Sequence, residues 1–191
     1  PFNHNNAADP ADRKLGIYHW TPDVADYQIR TQQLTWQMGG LDDLNSENPL
    51  VRRTLRESHA HWIKQIGVDA FRVDTAFYVT PEFLHDFMES RDPAAPGMSQ
   101  VWRASGRTPF SFGEGWAIDK PGEEKGARKI ESYVRLPDGR AALTSMINFP
   151  LYGTFADVFA KGRPPADLVY RLASMQRVHR RMFFLSNHGV S

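Results

Sequence analysis

The segment Gly-Val-Asp-Ala-Phe-Arg-Val-Asp at residues 67–74 constrains the fold of this chain more than any other stretch. Its apolar residues predict a short strand over 68–74 that ends on a carboxylate. Because strand side chains alternate between two faces, Arg72 and Asp74 share one face. Charges are costly to bury unless they pair, and a neighbouring cation lowers the pKa of a carboxylate. The pattern predicts an ionised, oriented Asp74, acting either as a nucleophile or as half of a structural ion pair.

Helical patterns lie on both sides of this strand. A helix is predicted to begin at Asn48, a typical cap residue, and to end at Gly67, which favours the position after a helix. Its predicted buried stripe consists of Val51, Leu55, Trp62 and Ile66. A second helix is predicted after Thr80, with four residues facing inward: Phe83, Leu84, Phe87 and Met88.

The rest of the chain continues the alternation of strands and helices. Further strands are predicted at 110–114, 144–149 and 181–185. Helices are predicted after Pro150 and after Pro165, the latter with Leu168, Leu172 and Met175 on one side. Irregular structure is predicted for 1–47, 90–108 and 117–142. This alternation predicts an α/β protein with a parallel sheet.

Composition and charge exclude several classes of function. The 191-residue chain is long enough for one domain with a core, and its net charge of +1 predicts no nucleic-acid or membrane partner. It has no cysteine, which excludes disulfides and thiolate metal sites. No apolar run approaches the about 20 residues that span a bilayer. The chain begins at Pro1 and ends just after an apolar run at 182–185, so we expect a piece of a longer protein.

Polar side chains end three of the predicted strands. Asp74, Glu114 and the pair Asn187-His188 each follow an apolar segment. The carboxyl ends of parallel barrel strands gather on one face, which carries the active site. Two carboxylates on such a face, walled by aromatic residues, suit retaining glycoside hydrolysis.

Five short motifs resemble those of the α-amylase family of glycoside hydrolases, in that family's order. They are Phe2-Asn3-His4, Leu41-Asp42-Asp43-Leu44-Asn45, Ala70-Phe71-Arg72-Val73-Asp74, Phe112-Gly113-Glu114-Gly115-Trp116 and Phe184-Leu185-Ser186-Asn187-His188. The resemblance implies a partial (β/α)₈ TIM barrel, from the end of strand three to the end of strand seven. Residues 1–191 would form one incomplete catalytic barrel domain, with a loop-rich B-type excursion at 5–47.

The resemblance also implies roles for single residues. Asp74 matches the nucleophile and Glu114 the general acid/base of a double-displacement mechanism. Residues that match substrate-binding positions are Arg72, His4, Asn187 and His188. The implied activity is hydrolysis or transglycosylation of α-glucans or maltooligosaccharides. A secreted or periplasmic location is favoured over a cytoplasmic one, and the oligomeric state is left open.

The sequence departs from the family pattern at two places. Gly189 stands where the family has a third carboxylate, which leaves a catalytically impaired glucan-binding protein or a non-catalytic fragment as the alternative. Phe77 and Tyr78 stand where many members have Lys-His, so an aromatic wall at the leaving-group side is expected. No cofactor is required, and Asn3 and Asp43 match positions that often bind structural Ca²⁺.

Overall fold

The computed structural model describes residues 1–178, which form two compact units. The first unit contains residues 1–69 and 77–109, and the second contains residues 70–76 and the described part of 110–191. The predicted strand at 181–185 and the candidate residues Asn187 and His188, together with Gly189, lie outside the described residues. Between residues 1 and 178, no helix is long and apolar enough to cross a membrane.

The first unit is built from helices. They are α1 (Pro10–Leu15), α2 (Arg30–Thr35), α3 (Pro49–Ile66), α4 (Pro81–Glu89) and α5 (Met98–Ala104), and a 3₁₀ turn spans Ala76–Tyr78. Three of these helices lie in segments predicted to be irregular, so those predictions were wrong for α1, α2 and α5. Each of the three has only six or seven residues, too few for a clear helical period.

The ends of α3 were predicted correctly, but its buried face was not. The Asn48 side chain accepts a hydrogen bond from the Leu50 amide, and Gly67 ends the helix with φ of 72°. The buried residues are Val51, Arg56, Ala60 and Ile63, whereas Trp62 and Ile66 are exposed. The predicted stripe was correct at Val51 and wrong at Trp62 and Ile66, and a buried arginine takes one of the inward positions.

Arg56 holds that position through polar contacts within the first unit. It pairs with Asp86 of α4, and its Nε donates to the carbonyl of Ala95 at 2.8 Å. The Thr80 side chain caps α4, and the four residues predicted to face inward on this helix are buried. A hydrophobicity pattern identifies the inward face of α4 but does not identify Arg56 as a buried, ion-paired residue of α3.

The second unit contains a three-stranded parallel sheet in the order β1 (Phe71–Val73), β2 (Ser111–Gly113) and β3 (Ser145–Met146). These strands lie where strands were predicted but are shorter. Residues 68 and 69 of the predicted strand belong to the first unit, where the carbonyl of Val68 accepts a hydrogen bond from the Trp102 indole at 2.6 Å. Hydroxyl groups join β2 to the residue before β3, since the Thr144 amide donates to Ser111 Oγ at 3.0 Å.

Helices pack beside this sheet in the same unit. They are α6 (Lys125–Ser132), α7 (Phe149–Phe155), a π-helical turn (Ala156–Ala160) and α8 (Ala166–Val178). The segment of α6 was predicted to be a loop, because only Ala127 and Ile130 of this charged helix are buried. On α8, Met175 is buried as predicted but Leu172 is exposed, and Arg171 takes an inward position.

Candidate active site

The two candidate catalytic carboxylates leave the sheet at neighbouring strand ends. Val73 pairs with Gly113 in the register of β1 and β2, so the next residues, Asp74 and Glu114, emerge at the same edge. The Glu114 amide donates to the carbonyl of Val73 at 2.8 Å, which extends the ladder past the strand ends. The parallel register therefore brings together two residues that are forty positions apart in sequence.

One guanidinium group contacts both carboxylates. Arg72 Nη1 donates to Asp74 Oδ2 at 2.5 Å, and Arg72 Nη2 donates to Glu114 Oε2 at 2.7 Å. The planar fork of arginine suits this arrangement, because its two terminal nitrogens reach two acceptors at once. The sequence predicted the first of these contacts but not the second, which needs the register of β1 with β2.

This cluster lies at the surface of the second unit. The side chains of Arg72, Asp74 and Glu114 are 44%, 61% and 26% exposed. Arg72 and Asp74 therefore pair as predicted, and the pair is exposed. Exposure leaves both carboxylates accessible to a ligand.

The electrostatics of the cluster favour an ionised Asp74. The hydrogen bond from Arg72 lowers the pKa of Asp74, and partial burial opposes it. The charge of Arg72 and hydrogen bonds from the Glu114 side chain and the Thr75 amide also lower this pKa. In turn, the hydrogen bond to Asp74 raises the pKa of Arg72. A carboxylate that stays ionised can act as a nucleophile.

Gly113 has a packing role directly before Glu114. At Gly113 an added Cβ would lie 2.4 Å from Met146 Sδ and 2.6 Å from Leu143 Cδ1. The absent side chain therefore makes room for the core of the second unit directly before Glu114.

An exposed aromatic residue follows Glu114. Trp116 is 65% exposed, and its ring centroid lies 4.8 Å from that of Phe149 and 6.3 Å from that of Tyr152. These neighbours hold the indole in one orientation while leaving much of it open to solvent. Sequence reasoning did not select Trp116, although its place two residues after Glu114 was a usable signal.

The remaining candidates in the described residues lie in the first unit. Phe77 is 5% exposed, which leaves little of its ring for a sugar. Tyr78 is half-buried, and its ring meets the edge of Tyr27 with centroids 6.5 Å apart. His4 contacts Asp12, with Nδ1 and Oδ1 2.8 Å apart. The roles predicted for Phe77, Tyr78 and His4 stay predictions.

The predicted calcium ligands do not form a recognisable site. Asp43 Oδ2 lies 2.5 Å from His19 Nδ1, and the other ring nitrogen of His19 lies 3.1 Å from Glu47. Asn3 is exposed. Within residues 1–178, no group of three or more histidine, aspartate or glutamate side chains is arranged to hold a metal. Asp43 therefore pairs with His19 in this structure, and the described residues do not fit a calcium site.

Known proteins resemble this chain over most of its length. A model of the alpha-amylase catalytic domain matches residues 16–135. A beta/alpha-amylase of Paenibacillus polymyxa is 30% identical over 194 residues, covering 93% of this chain and 13% of that protein. An alpha-amylase of Streptomyces lividans is 30% identical over 127 residues, covering 62% of this chain and 13% of that protein. The chain thus spans 13% of the length of each of these relatives.

Solved structures agree with this likeness. An alpha-amylase of Geobacillus thermoleovorans, solved in complex with acarbose, matches with a TM-score of 0.58 and 26% identity, covering 78% of this chain and 28% of that one. An Anoxybacillus alpha-amylase matches with a TM-score of 0.68 and 21% identity, covering 91% of this chain and 33% of that one. At its lower identity, the second likeness shows a shared fold.

Proposed function

The chain belongs to the alpha-amylase family, whose catalytic domain matches residues 16–135, and from this membership we propose that it performs retaining cleavage or transfer of α-glucosidic bonds. The proposed substrates are α-glucans or maltooligosaccharides. The observation that carries the proposal is the single guanidinium of Arg72, which contacts both Asp74 and Glu114.

The first chemical step joins the sugar to the protein. The Asp74 carboxylate attacks the anomeric carbon, the bond from that carbon to the leaving oxygen breaks, and the Glu114 carboxyl group gives its proton to that oxygen. The product is a covalent β-glycosyl ester of Asp74. The low pKa of Asp74 supports this role, since only the ionised carboxylate can attack.

The second step releases the sugar and restores both carboxyl groups. Glu114, now ionised, takes a proton from water or from a sugar hydroxyl, and the oxygen of that molecule attacks the anomeric carbon. The ester bond to Asp74 breaks, and its electron pair returns to the carboxylate. Water gives hydrolysis, and a sugar hydroxyl gives transfer.

Arg72 would serve both steps by holding the Asp74 and Glu114 side chains side by side. Its charge also keeps Asp74 ionised, because a nearby cation lowers the pKa of a carboxyl group. In a substrate complex water is excluded, so the same contacts would act in a lower dielectric and would be stronger. Trp116 adds an exposed aromatic face beside Glu114 on which a sugar ring could stack.

The proposed domain arrangement follows from the family. The three parallel strands would be consecutive strands four, five and six of a (β/α)₈ barrel, and residues 5–47 would be its B-type excursion. Residues 1–191 would then run from the end of barrel strand three to the end of strand seven. A complete barrel needs about 250 residues.

A second candidate function rests on the sequence at position 189. Gly189 offers neither charge nor hydrogen-bond acceptor where the family has its third carboxylate. A protein without that group would bind glucans and cleave them slowly or not at all. Loss of one transition-state contact of this type costs on the order of 10²–10³-fold in kcat.

Trapping the intermediate tests the proposal. The protein is incubated with an α-glucosyl fluoride whose ring fluorine slows the second step, and peptide mass spectrometry locates the sugar. We expect a glucosyl ester on Asp74, and no labelling and no turnover in Asp74→Asn. Asp69→Asn is the matched control, because Asp69 lies in the same segment and pairs only loosely with Arg107, at 3.4 Å. Glucan binding without turnover or labelling in the unaltered protein would support the binding function instead.

A further inference from the structure

We propose that Thr75 is a positioning residue, whose left-handed backbone sets how Asp74 and Glu114 face each other. The inference rests on the proposed function for its catalytic consequence. Its structural part stands on the backbone of residues 73–76 and 113–114 alone.

The conformation of Thr75 is unusual for its residue type. Its φ is 44°, and in the described part of the chain the only other non-glycine residue with positive φ is Trp20. Side chains branched at Cβ strongly disfavour this region, so they occupy it only where surrounding contacts hold them there. Strained residues of this kind cluster at functional sites.

The strain coincides with a change of hydrogen-bond donor at the end of the ladder. The Glu114 amide donates to the carbonyl of Val73, as in a parallel pair that continues past the strands. In a regular ladder the Thr75 amide would then donate to the Glu114 carbonyl. Here the Ala76 amide makes that bond at 2.7 Å. Thr75 is thus an extra residue in the ladder, in the manner of a bulge.

The extra residue changes which amide bonds to Glu114. Ala76 replaces Thr75 as the donor, and the backbone of Thr75, next to Asp74 in the chain, lowers the pKa of the Asp74 carboxyl group. Glu114 meanwhile keeps both of its backbone hydrogen bonds to the segment that carries Asp74, one on each side of it. The turn therefore ties the backbone of Glu114 to the residues on both sides of the nucleophile.

Packing under the turn keeps it close to β2. Ala76 is fully buried, and a Cβ added at Gly113 would lie 3.1 Å from the Ala76 methyl group. The Thr75 side chain itself is exposed. Its backbone conformation, rather than its hydroxyl group, is therefore the feature that the site uses.

A series of substitutions at Thr75 separates backbone from side chain. Glycine and asparagine tolerate the left-handed region, whereas proline fixes φ at about −65° and cannot adopt it. We expect Thr75→Gly and Thr75→Asn to keep kcat within about three-fold. We expect Thr75→Pro to lower kcat about 10- to 100-fold with KM nearly unchanged, since small misplacements of reacting groups have effects of this size.

Two further readouts distinguish positioning from simple loss of stability. In Thr75→Pro the acid limb of the kcat/KM profile should move to higher pH, because proline lacks the backbone amide that lowers the pKa of Asp74. Titration of the Asp74 carboxyl carbon by NMR should show the same rise in pKa without any substrate. Gly139→Ala is the control, because Gly139 has φ of 87° with nothing within 4 Å of an added Cβ. It should lower the melting temperature and move neither kcat nor the acid limb.

The outcomes are separable. If Thr75→Pro keeps kcat and the Asp74 pKa, or if glycine and asparagine are as damaging as proline, the backbone of Thr75 is not what positions the pair. If the unaltered protein cleaves no maltooligosaccharide, the proposed function fails. The NMR titration then still tests the turn, since it needs no turnover.

Discussion

Replacing Arg72 tests the central feature of the site. Arg72→Met removes both hydrogen bonds, which are 2.5 Å and 2.7 Å long. Arg72→Lys keeps the positive charge, but lysine lacks the two terminal nitrogens that donate to both carboxylates at once. Because the side chain is 44% exposed, water screens the pair in the free protein. Such surface pairs contribute about 0–1 kcal/mol to folding, so the melting temperature should hardly change.

The effect on catalysis should be much larger. Removing one preorganised donor from an active site lowers kcat about 10²–10³-fold, or about 2.7–4 kcal/mol of barrier. We therefore expect about 10²-fold loss of kcat in Arg72→Lys and about 10³-fold in Arg72→Met, with KM within a few-fold of the original. The lysine variant should lose less because one carboxylate keeps a cation.

The pH profile provides an independent check of the same contact. Asp74 must be ionised to attack, so kcat/KM falls as the pH drops through its pKa. Arg72 is the first cause of the low pKa of Asp74, so its loss raises that pKa. The acid limb of the profile should therefore move to higher pH in both variants, and further in Arg72→Met.

Initial rates on an aryl maltooligosaccharide from pH 3 to 8, with thermal melts of each variant, measure these quantities. Arg140→Met is the matched control, because Arg140 pairs with an aspartate two residues away at 2.7 Å and is similarly exposed. If Arg72→Met kept kcat within about three-fold and left the acid limb in place, the bridging role of Arg72 would be refuted.

Three other predictions concern stability. Gly113→Ala places a methyl group 2.4 Å from the β3 methionine sulfur and should destabilise the protein by about 1–3 kcal/mol in urea unfolding; an unchanged midpoint would contradict the packing role. Arg171 is 3% exposed and donates to Thr154 and to three backbone carbonyls. Arg171→Met should therefore lower the free energy of unfolding by about 3–5 kcal/mol. A loss below about 1 kcal/mol would contradict this role of Arg171. The hydrogen bond to Asp43 raises the pKa of His19. The stabilisation that protonated His19 gives the folded protein is therefore complete below about pH 6.5, and it is lost as pH rises through the higher folded pKa. The difference in melting temperature between the unaltered protein and His19→Gln should shrink from pH 5.5 to 8.5. A constant difference would contradict this role of the His19–Asp43 contact.

Strong local signals predicted part of the fold. The cap at Asn48, the ending at Gly67 and the inward face of α4 agree with the structure because neighbouring residues in the chain decide them. Short helices such as α5 and α6 were missed, since their few buried residues give no clear period. The buried face of α3 was misassigned because Arg56 is buried through partners far away in sequence.

The candidate site divides in the same way. Polar residues at strand ends pointed to Asp74 and Glu114, because side-chain alternation and the order of strands and helices follow from local patterns. The second contact of Arg72 depends on the register of two strands forty residues apart. The change of donor at Thr75 depends on the same register, together with close packing at Gly113.

The sequence alone determined that a strand within residues 68–74 ends in a paired carboxylate, and that a second carboxylate follows the next strand. Tertiary structure decided that this strand covers only Phe71–Val73, that its ion pair is exposed, and that one arginine contacts both carboxylates. The physical reason is that side-chain alternation and charge type are local properties of the chain. Exposure, register and a strained turn are set by residues that folding brings together from far apart.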